Sequence, residues 1–181
     1  MSRVHRLLRT MDRHDRDVLV AWTVARRPVT LAVMRHVTHC GDAVVVIAAA
    51  ALALLLGTGV VREAGLIAAF TLAFSHGIVQ LLKRTVGRPR PSLPPGACLI
   101  EAPDRFSFPS GHAAAALSLA LPIAALAPAQ LSAAVLGLGL LVGLSRCYLG
   151  VHYPGDVIVG WALALGAYLI APSGLASFGL L

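Results

Sequence analysis

The sequence predicts an all-α integral membrane protein, a bundle of five core transmembrane helices preceded by an N-terminal interfacial helical arm. Two observations predict it. Of 181 residues, 57% are hydrophobic and 13% charged, with a mean hydropathy of +0.80, too apolar for a water-soluble domain of this size. The charge is also segregated: residues 43–61, 64–82 and 157–181, and the run from Gly111 to Ser145, contain no Asp, Glu, Lys or Arg.

Each element follows from laying a helix on those runs. Crossing a hydrocarbon core of about 30 Å takes about 20 residues at about 1.5 Å each. Spans are therefore expected at 43–61, 64–82, 111–127, 130–149 and 154–172. Helix is the required state, because strands of a membrane barrel are shorter and alternate in polarity. Arg62-Glu63 is expected to divide the first two spans, and Pro128 the third and fourth.

Segment 17–39 is apolar on both sides of Arg26-Arg27-Pro28. Two adjacent arginines at mid-bilayer depth are costly, and proline removes a backbone donor there. The segment reads as a bent pair of interfacial helices, with a sixth span as the alternative. Residues 1–41 are then a basic arm, and 42–175 the transmembrane domain. The first 17 residues are Arg-rich and lack an apolar stretch with a small-residue cleavage site, unlike a removable signal. No internal repeat divides the chain.

The net charge of +7 raises nucleic acid as a partner, but the cations form no stripe interleaved with aromatic stacking platforms, so no nucleic-acid binding is expected. Cys40, Cys98 and Cys147 are odd in number and form no C-x-x-C pair, which speaks against a disulfide framework or a structural zinc site. No metal and no cofactor are expected, and the partners expected are membrane lipids and a lipid substrate.

Connectivity places the functional residues. A helix ending near Lys83 and the next beginning near Gly111 share a membrane face, as do the helix ending near Arg146 and the one beginning near Pro154. The loop 83–110 lies on that face, and Pro89, Pro91, Pro94, Pro95 and Pro103 preclude a regular helix through it. Lys83, Arg90, Ser110, Gly111, His112, Arg146, His152 and Asp156 therefore converge.

All of these residue types serve phosphoryl transfer. Spread negative charge on phosphoryl oxygens calls for fixed cations and backbone donors, and Lys83, Arg90 and Arg146 supply the cations. Ser110-Gly111-His112 opens a helix, whose free amides and positive dipole end favour an anion. A phosphate ester also needs a nucleophile and an acid for the departing alkoxide. His152 is the better nucleophile, because Asp156 four residues on can orient its ring, and His112 is then the acid.

The residues Lys83-Arg84-Thr85-Val86-Gly87-Arg88-Pro89-Arg90-Pro91, Pro109-Ser110-Gly111-His112, and Ser145-Arg146 through His152 to Asp156 match K-x6-R-P, P-S-G-H and S-R-x5-H-x3-D in order. Over residues 42–172 the chain resembles the type-2 phosphatidic acid phosphatase superfamily, which is related to vanadium haloperoxidases. The resemblance implies a metal-independent phosphatase with a phosphohistidine intermediate, acting on a lipid phosphate monoester or diphosphate such as phosphatidic acid, phosphatidylglycerophosphate or a polyprenyl phosphate. By motif position, His152 is the nucleophile, Asp156 its orienter and His112 the acid, with Lys83, Arg90, Ser110, Gly111 and Arg146 holding the phosphate. The alternatives are a non-catalytic lipid-phosphate binding or transport protein and a vanadate-dependent haloperoxidase.

Plainer readings apply elsewhere. Arg62, Arg84, Arg88 and Arg105 read as headgroup-seeking cations at helix ends. His76 shares a helical face with Gln80 and Lys83 and reads as a packing residue or a second layer around the site. Gly137, Gly139 and Gly143 read as small residues for close helix packing. With segment 17–39 lying flat, every Lys and Arg except Arg62 falls on the active-site face, which the positive-inside tendency puts in the cytoplasm of a bacterial-type plasma membrane. Family members acting on polyprenyl diphosphates commonly work from the outer side.

Overall fold

The computed structural model describes residues 3–93, 98–100, 104–177 and 179. Pro94, Pro95 and Pro103 of the proline-rich loop lie outside the described residues. Among the described residues, seven α-helices follow one another: α1 Arg3–Val24, α2 Pro28–Val37, α3 Ala43–Leu56, α4 Val60–Val86, α5 Gly111–Leu126, α6 Ala129–Tyr148 and α7 Pro154–Ser177. A 3-10 turn, Thr38–Gly41, links α2 to α3. No strand occurs among the described residues, and a lone bridge joins Pro89 to Phe106.

The break expected inside segment 17–39 is present. Pro28 opens α2, where its missing N–H costs nothing. Both ends of α2 are tied to the same end of α6. At one, Arg26 Nε donates to the Tyr148 carbonyl at 2.8 Å; at the other, Arg146 donates to the Thr38 hydroxyl at 2.7 Å. A helix held so at both ends does not run the length of the bundle. Val18, Val20, Val24, Val29 and Val33 stay exposed along the arm.

The first turn falls earlier than expected. The chain leaves helix at Gly57 and re-enters at Val60, so Arg62 and Glu63 lie inside α4 rather than dividing two spans. The Gly57-Thr58-Gly59 breaker outweighs the charged pair, and Glu63 sits in the first turn where the dipole favours it. Gly57 and Pro128 also shorten the first and third expected spans, to helices of 14 and 16 residues. Among the described residues, three helices, α4, α6 and α7, are long and apolar enough to cross a membrane, and the pair α2–α3, bent by 51°, makes a fourth if counted as one. The protein is thus an all-helical integral membrane protein with three to four apolar candidate spans.

Helix α5 is central, packing against α3, α4, α6 and α7. Its residues explain why: Ala113, Ala114, Ala116, Ser118 and Ala120 are all buried and small. Approach is close where α7 crosses the start of α5, since a Cβ on Gly160 would lie 2.6 Å from the Ser110 carbonyl oxygen. Gly139 and Gly143 pack as expected, against Ala120 and Trp161, whereas Gly137 faces open space. Leu55, Leu56, Leu81, Ile158 and Leu169 are exposed around the outside, as lipid-facing positions require.

Candidate active site

Helix ends build the site. Helix α4 runs one turn past its expected end and stops where Gly87 takes φ +62°, a conformation that only glycine adopts without strain. Lys83 is thereby placed, buried, in the last turn of α4. After α6, the amides of Val151 and His152 fold back onto the Arg146 carbonyl at 3.1 and 3.3 Å, which tucks His152 under the helix end. Asp156 enters with the first turn of α7, and its carbonyl accepts from the Ser110 amide at 2.9 Å, joining the last two motifs through the backbone.

His152 and Asp156 are both buried. Nδ1 of His152 lies 3.5 Å from Asp156 Oδ2, too long for a formed hydrogen bond. On the other side of the ring, Arg90 Nη1 approaches Nε2 at 3.2 Å. A guanidinium can only donate, so Nε2 must offer its lone pair and the ring proton belongs on Nδ1, facing the carboxylate. That is the tautomer a nucleophilic imidazole needs. Burial pushes the His152 pKa down to about 4, with Asp156 opposing the fall and Arg90 and Arg146 adding to it.

Two cations of the predicted cradle meet on one carboxylate. Asp104 accepts from Lys83 Nζ at 2.5 Å and from Arg90 Nη2 at 3.0 Å, and its own carbonyl accepts from Arg90 Nε at 2.7 Å. Burial pushes the Asp104 carboxyl up, but Lys83 and Arg90 outweigh it and hold the group below its ordinary range. Lys83 and Arg90 are thus held together on the two oxygens of a single carboxylate. Arg146 is buried, with Nε unbonded within the protein.

Ser110 caps α5, its hydroxyl accepting from the Ala113 amide at 3.4 Å. A Cβ on Gly111 would meet nothing closer than Val79 at 3.9 Å, so packing within the protein does not require glycine here. His112 Nε2 lies 2.9 Å from Asp42 Oδ1, and the other oxygen of Asp42 lies 2.8 Å from His39 Nδ1.

The eight residues expected to converge do so at one end of the bundle. His76 and Gln80 are exposed on α4 and bond to each other at 2.9 Å, two turns and one turn before the buried Lys83. Arg88 departs from the headgroup-seeking reading, because it points inward to Asp156 and Asp15 at 2.7 and 2.9 Å. Sequence reasoning passed over Asp15, Asp42 and Asp104. The one signal available was composition: acidic residues are only 8 in number, and these three lie in or beside the cation-rich segments. Among the described residues, no group of three or more His, Cys, Asp or Glu side chains gathers to hold a metal ion.

A helical bundle with apolar spans that gathers cations, a helix start and a histidine–carboxylate pair at one end fits a class, the integral membrane phosphatases. The chain belongs to the PAP2 superfamily, whose family model matches residues 64–175. It is 36% identical over 160 residues to the decaprenylphosphoryl-5-phosphoribose phosphatase of Mycobacterium tuberculosis, covering 83% of this chain and 82% of that one. The fold matches the crystal structure of Aquifex aeolicus LpxE with a TM-score of 0.76 at 23% identity, over 87% of this chain and 93% of that one. It matches a PAP2-type phosphatidylglycerolphosphate phosphatase from Bacillus subtilis with a TM-score of 0.69 at 25% identity, over 93% of this chain and 87% of that one. The chain is a membrane lipid phosphatase.

Proposed function

We propose that the protein releases inorganic phosphate from a lipid phosphate through a phosphohistidine formed on His152, and that a polyprenyl-linked sugar phosphate is its substrate class. The Mycobacterium tuberculosis relative supports the second part, since the identity runs through most of both chains. The position of Arg90 on Nε2 of His152 carries the first, because it fixes the lone pair that attacks.

In the first step, Nε2 bonds to phosphorus while the phosphorus–oxygen bond to the lipid breaks, and His112 gives its proton to the departing oxygen. In the second, His112 takes a proton from water, the hydroxide bonds to phosphorus, and the P–N bond breaks to free phosphate and His152. Lys83, Arg90 and Arg146, with the Ser110-Gly111 helix start, answer the charge that builds on the equatorial oxygens. Asp156 holds the Nδ1 proton throughout. The substrate phosphate displaces Asp104 from Lys83 and Arg90. Helices α3 to α7 form the transmembrane core, with α1 and α2 lying at the interface on the active-site side, which we assign to the cytoplasm.

Phosphate release from decaprenylphosphoryl-5-phosphoribose, phosphatidic acid, phosphatidylglycerophosphate and undecaprenyl diphosphate, in detergent with chelator present, tests this reading. The sugar phosphate is expected to turn over fastest, vanadate to inhibit, and His152→Ala to lose at least about a thousandfold in kcat. Acid-labile, base-stable labelling of the protein from a phosphate-labelled substrate, absent in His152→Ala, is the direct sign of the intermediate. Full activity in His152→Ala ends the mechanism.

A further inference from the structure

We propose that Asp15 and Arg88 form a positioning clamp through which the N-terminal helix holds Asp156, and so His152, in register for attack. The inference rests on the roles proposed for His152 and Asp156, and it adds to the site a helix that the family match at 64–175 does not include.

Three observations converge. Arg88 places Nη1 on Asp156 Oδ1 at 2.7 Å and Nη2 on Asp15 Oδ2 at 2.9 Å, so one guanidinium bridges α1 to α7. The other oxygen of Asp15 accepts from the Gly155 amide at 2.9 Å, the residue next to Asp156. A Cβ on Gly155 would lie 2.8 Å from Asp15 Oδ2, so glycine is what lets the carboxylate reach the helix start.

Packing holds the clamp in place. The guanidinium carbon of Arg88 lies 4.1 Å from the centre of the Tyr153 ring. One turn along α1, Leu19 is fully buried against Ala113, Cys147, Tyr153 and Val157. Asp15 and Arg88 are themselves only 12% and 16% exposed, so their charges interact with little screening. Burial lowers the Arg88 pKa, but Asp156 and Asp15 outweigh it and raise the guanidinium further.

The geometry gives Asp156 a divided task. Oδ1 is taken by Arg88, while Oδ2 accepts from the Tyr153 amide at 2.9 Å and faces His152. Arg88 stops the carboxylate from turning fully onto the imidazole and tempers its pull on the ring proton. Among the described residues, the charged groups acting on His152 are Asp156 from α7, Arg146 from α6, and Arg90 from the loop after α4. Asp104 acts through Arg90, and Asp15 acts through Arg88.

The test uses the full chain in detergent, assayed on whichever of the four lipids named above the unaltered protein hydrolyses fastest. Asp15→Asn keeps the acceptor for the Gly155 amide and removes the ion pair with Arg88; it is expected to lower kcat by roughly 10- to 100-fold with KM within about threefold. Arg88→Gln should do the same, and the double variant should lose no more than Arg88→Gln alone, because Asp15 acts through Arg88. Asp17→Asn, exposed on the same helix, should leave kcat unchanged.

A pH readout separates positioning from folding. With Arg88 gone, Asp156 raises the His152 pKa, so the ratio of Arg88→Gln to parental kcat/KM should fall as pH is lowered; the substrate's own titration cancels in the ratio. Arg88→Lys, which can engage one carboxylate at a time, replaces Arg88→Gln if that variant does not remain monodisperse. Parental kcat in Asp15→Asn, independent losses that multiply in the double variant, or a ratio flat with pH would each overturn the clamp. Activity surviving in His152→Ala would instead remove the reading beneath it.

Discussion

Burial decides the charge of His152, and that has a consequence for stability as well as for attack. In the unfolded chain an imidazole takes up its proton near pH 6.5, whereas in the folded protein burial delays this to about 4. Between those values the unfolded state binds more protons, so stability is complete above about pH 6.5 and is lost as pH falls toward 4. His152→Gln has nothing to titrate. The thermal midpoint of the parent in detergent should therefore fall relative to His152→Gln as pH is lowered from 7 to 4. A constant difference would mean that the folded imidazole keeps its ordinary pKa. Asp104 makes a second case. Its carboxylate occupies the two cations that a phosphate needs, so Asp104→Asn should tighten vanadate inhibition by about three- to tenfold, and a weaker inhibition constant would assign Asp104 to building the site rather than competing for it. His152, His112 and the cations were legible because their spacing ties them to helix ends. Asp15, Asp42, Asp104 and the inward turn of Arg88 were not, because a lone acidic residue in a polar segment carries no periodicity that distinguishes a buried partner from a solvated one.

At the level of elements, hydropathy located every helix from α3 to α7 and misplaced their ends. Charge at Arg62-Glu63 looked like punctuation, yet a helix N-terminus accepts Glu63 readily, and Gly57 and Gly59 just before it break the backbone more strongly. The end of α4 was set by Gly87 at positive φ rather than by the end of the apolar run. What no pattern reveals is which helix is central. Helix α5 takes that position because its alanines and serines let four neighbours approach. The contact of Gly160 with the Ser110 carbonyl is one consequence: a methyl group there must separate α7 from the start of α5, the junction where the Ser110 amide bonds the Asp156 carbonyl. Gly160→Ala should cost about 1 to 3 kcal/mol of stability and should lower kcat in parallel. Gly166→Ala, on the same helix in open space, should change neither. Equal behaviour of the two variants would show that the junction has room to spare.

For the whole molecule, the arm and the active site share one end. Asp15 bonds into α7, Arg26 and Arg146 tie both ends of α2 to the end of α6, and Asp42 meets His112. Asp15, Arg26 and Asp42 therefore stand at the same end as the candidate site, and the assignment of that end to the cytoplasm is the part of our proposal that labelling can test. Two native thiols report on this directly. Cys40, in the turn before Asp42, and Cys98, beside the Leu99 amide that bonds the Leu149 carbonyl, are exposed at the active-site end, while Cys147 is buried. In sealed cells, a membrane-impermeant maleimide should leave Cys40 and Cys98 unlabelled, and both should react once the membrane is opened. Arg62→Cys in a background with Cys40 and Cys98 changed to Ser should show the reverse, reacting from outside without permeabilisation. Labelling of Cys40 and Cys98 in sealed cells, with the cysteine introduced at position 62 protected, would place phosphate release on the outer face and leave the basic arm there for a reason other than topology.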